Sequence, residues 1–86
     1  MKTIWKYALG ANTTLNVPKG AQFLSTNEQD DGVHIWFIVD PGEDVEPREF
    51  RVYGTGHEID ERIPHRLLGT CLLYRGTLVL HVFEGL

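Results

Sequence analysis

Period-two alternation of apolar and polar residues, broken at short turn signals, runs along nearly the whole chain and predicts β-strands. The first strand runs from Lys2 to Leu9 and ends at Gly10-Ala11-Asn12. The second, Thr13 to Val17, is rich in β-branched residues and stops at Pro18-Lys19-Gly20. In that turn proline presets φ and glycine supplies a positive φ at no steric cost. A third strand, Ala21 to Thr26, leads into the polar stretch Asn27 to Gly32.

Val33 to Asp40 is the strongest strand: Val33, Ile35, Phe37 and Val39 share one face, His34, Trp36 and Ile38 the other. Apolar residues on both faces predict a central or doubly covered strand. Pro41-Gly42 ends it, and Glu43, Asp44, Glu46 and Pro47 read as a solvated loop. Arg48 to Thr55 is the fifth strand. Leu67 to Tyr74 and Thr77 to Glu84 follow as a hairpin joined by Arg75-Gly76. The segment from Glu58 is the one helical candidate, and Pro64 limits it to a short helical turn near 58–63. The fold class is therefore all-β: one domain over 1–86, a small seven-stranded antiparallel sandwich or barrel. Strand edges in so small a sheet are open to pairing with another chain, and a homo-oligomer is expected.

Composition narrows the function. The 86 residues carry 8 Lys+Arg against 12 Asp+Glu, with no basic tract or tail. Polymeric nucleic acid, which needs clustered cations along its phosphates, is not an expected partner. A small nucleotide needs only two or three well-placed arginines and aromatics. The single cysteine, Cys71, forms no disulfide within the chain and reads as a small buried hydrophobe. No apolar run approaches the roughly 20 residues of a membrane span, and no signal-peptide core is present. The expected location is the cytoplasm.

No nucleophile elbow, Walker loop or zinc-protease motif occurs. His34, His57, His65 and His81 lack the spacing of a known metal signature. Neither catalytic residues, a metal nor another cofactor is expected. Gly54-Thr55-Gly56-His57 is a partial glycine-rich turn whose backbone N–H groups could approach an anion; a plain strand-ending turn is the competing reading. Strand parity puts His34 with Trp36, Arg51 with Tyr53 and Thr55, and Thr77, Val79 and Phe83 with His81. If those faces coincide, one surface joins aromatics, an arginine and histidines, with Arg62, His65 and Arg66 at its end. Arginine binds phosphate bidentately and aromatic rings stack bases. A buried subunit interface has the same composition.

The opening Met-Lys-Thr-Ile-Trp-Lys-Tyr, Val17-Pro18-Lys19-Gly20-Ala21, Arg51-Val52-Tyr53-Gly54-Thr55-Gly56-His57 and Leu80-His81-Val82-Phe83-Glu84-Gly85 together resemble a family of short proteins carried by bacteriophages and prophages, of unknown function. The resemblance spans nearly the whole chain and brings no catalytic residues. It implies an anti-defence setting, in which small oligomeric proteins sequester nucleotide second messengers. The resulting expectation is a binding protein that captures a nucleotide-derived signal, such as a cyclic nucleotide or a cyclic ADP-ribose-like molecule, without catalysis. Its ligand-binding residues would be Trp36, Arg51, Tyr53, Gly54, Thr55, His57, Arg66 and His81. The alternatives are a protein-interaction module that blocks a host defence enzyme and a small nucleotide hydrolase.

Overall fold

A computed structural model describes residues 1–86. Seven strands, β1 (Thr3–Leu9), β2 (Asn12–Pro18), β3 (Gln22–Gln29), β4 (Gly32–Val39), β5 (Val45–Gly54), β6 (His65–Leu73) and β7 (Leu78–Gly85), form two antiparallel sheets. One is three-stranded in the order β1-β4-β3, the other four-stranded in the order β2-β5-β7-β6. The sheets stack as an open sandwich, and neither closes into a barrel.

The alternation in β4 explains the core. Val33, Ile35, Phe37 and Val39 are buried between the sheets, whereas His34, Trp36 and Ile38 lie half-buried on the outer face. One core cluster joins Ile35, Phe37 and Val39 to Val17, Ala21 and Phe50. A second joins Val33 to Cys71, Leu73 and Val82. Cys71 is buried, as its apolar neighbours predict, with its Sγ 3.5 Å from Thr26 Oγ1. The sheets approach closely where β6 crosses β3, because Gly69 has no side chain and Thr26 fills the space.

Three segments depart from expectation by more than a residue or two of strand limit. β5 begins at Val45, so Glu46 and Pro47 belong to a strand and not to the loop. Proline is tolerated there because β7 pairs only with Phe50 to Gly54, so nothing faces the missing N–H of Pro47. β3 continues through Asn27-Glu28-Gln29, since an edge strand accepts polar residues on its solvent face. The expected helical turn at 58–63 is absent. A β-turn stands in its place, with Ile63 N–H donating to Asp60 C=O at 3.2 Å. Asp60 Oδ1 also accepts the Arg62 N–H at 3.1 Å, a local bond that competes with helix formation. The one 3₁₀ turn is Tyr74–Gly76. No helix is long and apolar enough to cross a membrane.

Candidate functional site

The antiparallel order brings four connections to one end of the sandwich: Gly10-Ala11, Asp30-Asp31, Gly54 to His57, and Tyr74 to Thr77. Between the sheets at this end lies an open cleft of about 380 Å³. Leu9, Val33, Val52, Leu73 and Leu80 form its apolar walls. Gly10, Ala11, Gly32 and Gly54 line it as well, and these positions have little or no side chain to fill the gap. Asp31 and His57 supply its polar groups. An apolar cleft with a few convergent polar groups is the usual form of a small-molecule site.

The Gly54-Thr55-Gly56-His57 sequence builds part of this wall. Gly56, at φ +89°, turns the chain so that His57 N–H donates to Gly54 C=O at 3.0 Å. The imidazole then folds back onto Gly54, whose own N–H donates to His57 Nδ1 at 3.2 Å. A Cβ at residue 54 would stand 2.8 Å from the ring, so only glycine seats it. With Nδ1 accepting this hydrogen bond, the ring hydrogen lies on Nε2. Nε2–H is thus a donor at the cleft, opposite in character to the Asp31 carboxylate.

A groove of about 720 Å³ adjoins the cleft at Asp31. Glu28, Asp31, Leu72, Tyr74, Arg75 and Gly76 line it, from the tips of the β3–β4 and β6–β7 hairpins. All four non-glycine residues with positive φ occupy these two tips: Asp30 (+52°), Asp31 (+59°), Tyr74 (+48°) and Arg75 (+57°). Asp31 N–H donates to Glu28 Oε1 at 2.9 Å, and Thr77 Oγ1–H donates to Tyr74 C=O at 2.8 Å.

The other expected residues separate. Arg51, Tyr53, Thr55 and His81 share the outer face of the four-stranded sheet, as the parity of β5 and β7 requires. There His81 lies between two hydroxyls, with Nε2 2.8 Å from Thr55 Oγ1 and Nδ1 3.0 Å from Thr70 Oγ1. Tyr53, His65 and Phe83 stack edge-to-face beside it. The Tyr53 hydroxyl and His65 Nε2 are buried without partners. Arg51 is bonded to Glu49 at 2.8 Å, and its pKa is raised, chiefly by that bond. Trp36 lies against His34 on the outer face of the other sheet, across the sandwich. The faces therefore do not coincide, because β4 and β5 belong to different sheets whose outer sides point apart.

Arg66 lies at the opposite end of the strands. Its Nη2 is 3.3 Å from Glu84 Oε1. Glu84 also receives Arg48 through two bonds, of 2.5 and 2.8 Å, and Arg48 donates to Ala21 C=O at 2.7 Å. The Arg48 guanidinium stands 4.9 Å from the Phe37 ring centroid. Arg48 and Glu84 are largely buried and tie the core together, whereas Arg66, 60% exposed, meets Glu84 from the surface. Of the five arginines in the chain, Arg48, Arg51, Arg62 and Arg66 are each paired with a carboxylate, and Arg75 is not.

Sequence reasoning placed Arg75 in a two-residue connection only. The pairing of Leu73 with Leu78 makes that loop four residues long and lifts Tyr74 and Arg75 out of the ladder. No group of three or more His, Cys, Asp or Glu side chains is arranged to hold a metal ion. Comparison with curated proteins and with solved structures returned no match. A family model does match, over residues 1–86, and the chain belongs to that family, a domain of unknown function designated DUF7352.

Proposed function

We propose that this protein is a binding domain that takes a small nucleotide-derived molecule, such as a cyclic nucleotide or a cyclic ADP-ribose-like compound, in the end cleft and holds it unchanged. The cleft carries the reading: its walls suit a planar heteroaromatic ring, and its mouth offers one acceptor, Asp31, and one donor, His57 Nε2–H. A nucleobase edge presents a complementary donor and acceptor side by side. In this reading Gly54 and His57 keep their expected roles, while Trp36, Arg51, Tyr53, Thr55, Arg66 and His81 lie outside the ligand's reach. The anti-defence setting implied by the phage resemblance gives such capture a purpose, as removal of a host signal.

A thermal-shift panel of nucleosides, mononucleotides, cyclic nucleotides and cyclic ADP-ribose isomers tests the proposal. A ligand at about 100 times its dissociation constant adds roughly 2.7 kcal/mol to the folded state, which moves the midpoint of a domain this small by several degrees. Selective shifts with full recovery of the ligand are expected. A flat panel removes the reading.

Two further readings have observations of their own. Ile4 and Trp5 on edge strand β1, and Leu67 and Leu72 on edge strand β6, are exposed apolar side chains suited to a second copy of this chain or to a host protein. The Thr55–His81–Thr70 chain has the hydroxyl and imidazole partners of acid–base chemistry. It lies outside the cleft, and conversion of a bound ligand to new products by mass spectrometry is what would favour a hydrolase.

A further inference from the structure

We propose that Arg75 anchors the anionic group of the ligand, and that the groove between the two hairpin tips selects a single phosphodiester over a polyphosphate. This assignment rests on the reading of the adjoining cleft as the ligand site. Arg75 is the one arginine whose guanidinium is not committed to a carboxylate. It lines a groove that meets the cleft at Asp31, so a molecule whose ring fills the cleft can extend its charged end there.

The exposed Tyr74 ring lines the same groove and offers a face for the sugar or a second base. Tyrosine and arginine in the left-handed region are held at a cost that the hairpin does not require, since glycine or asparagine would serve the turn better. The presence of these two side chains at positive φ is accounted for if the groove needs them.

Charge sets the selectivity. Glu28 and Asp31 line the groove beside Arg75. The guanidinium offsets only one of these two carboxylates, so a monoanion that meets Arg75 directly adds the least repulsion, and the further charges of a di- or triphosphate have no cation to face. The ligand class is therefore a cyclic mononucleotide or a similar phosphodiester.

The test is calorimetric titration of the full chain with 3′,5′-cyclic AMP, 3′,5′-cyclic GMP, the matching nucleosides, and ADP. The variants are Arg75→Gly, which positive φ favours and which therefore folds, Arg75→Lys, and Arg51→Ala. The intact chain is expected to bind a cyclic nucleotide about tenfold or more tightly than its nucleoside, and ADP no more tightly than the cyclic nucleotide. Arg75→Gly abolishes that tenfold preference and leaves nucleoside affinity unchanged. Arg75→Lys keeps part of it, and Arg51→Ala keeps all of it. Nucleoside binding with a preference that survives Arg75→Gly, or that disappears in Arg51→Ala, overturns the Arg75 assignment and leaves the cleft standing. Tighter binding of ADP overturns the selectivity. If none of the five compounds binds, both the assignment and the cleft reading beneath it are overturned.

Discussion

A glutamate buried opposite Phe50 in the β5–β7 ladder is stable only because arginines meet it. The Glu84 side chain is 7% exposed and that of Arg48 16%. Burial is the largest influence on Glu84 and pushes its pKa up, but the hydrogen bonds and charges of Arg48 and Arg66 together outweigh it and hold the pKa below the usual value. A depressed folded pKa contributes stability that is present in full above the unfolded glutamate value, about 4.3, and is lost as pH falls through the folded one. Acid titration followed by circular dichroism should show this loss, and Glu84→Gln should remove most of the slope in that window. At neutral pH Glu84→Ala strands Arg48 as an uncompensated buried cation, at a cost of about 3–5 kcal/mol in urea unfolding. His57→Ala removes one partly exposed hydrogen bond and should cost only about 0.5–1.5 kcal/mol, while its effect on cleft ligands is larger than its effect on folding. Neither the Glu84 network nor the His57 seat was legible in the sequence. Both depend on which strand lies across the sandwich or how a turn folds back, and alternation carries no such information.

At the level of elements the sequence was far more informative. All seven strands, their alternation, the central place of β4 and the turns at Gly20 and Gly76 follow from the order of apolar, polar and turn residues. Two errors fell where tertiary context overrides a local signal, Pro47 inside β5 and polar residues in β3; the third, Asp60 diverting 58–63 from a helix, comes from a local side-chain bond that alternation does not reveal. Gly69 shows the same limit. In sequence it is a glycine within a strand, a sign of a bulge or close approach. In the structure it is both, since the β6–β7 register shifts between Leu67 and Gly69 and a Cβ there would lie 2.8 Å from Thr26 Cγ2. Gly69→Ala should therefore destabilise by about 1–3 kcal/mol through overpacking between β3 and β6. Thr26→Ser removes the opposing methyl and keeps the hydroxyl that donates to His34 C=O. The double variant should regain much of the loss, and a double-mutant cycle that shows no coupling would place the strain elsewhere.

For the whole molecule, the candidate site is assembled from four turns widely separated along the chain, which is why residue parity within strands found none of it and only the glycine-rich turn pointed to Gly54 and His57. The strand edges are also unequal. β2 and β3 present Asn12, Thr14 and Asn16, and Gln22, Ser25, Asn27 and Gln29, whereas β6 has no charged residue from Leu67 to Leu73 and exposes Leu67 and Leu72. An apolar, uncharged edge without proline is the kind that pairs with another strand. Antiparallel pairing of β6 with β6 of a second copy would join two four-stranded sheets and cover both leucines. It would leave the end cleft within each protomer. Sedimentation velocity across a range of concentrations should then show a monomer–dimer equilibrium, and Leu67→Lys with Leu72→Lys should shift it to monomer. Cleft ligands should bind that monomer with unchanged affinity. A chain that sediments as a monomer at every concentration removes the second copy and leaves β6 to a different protein partner. Loss of ligand binding in the monomeric variant would instead mean that the site is completed across the subunit junction.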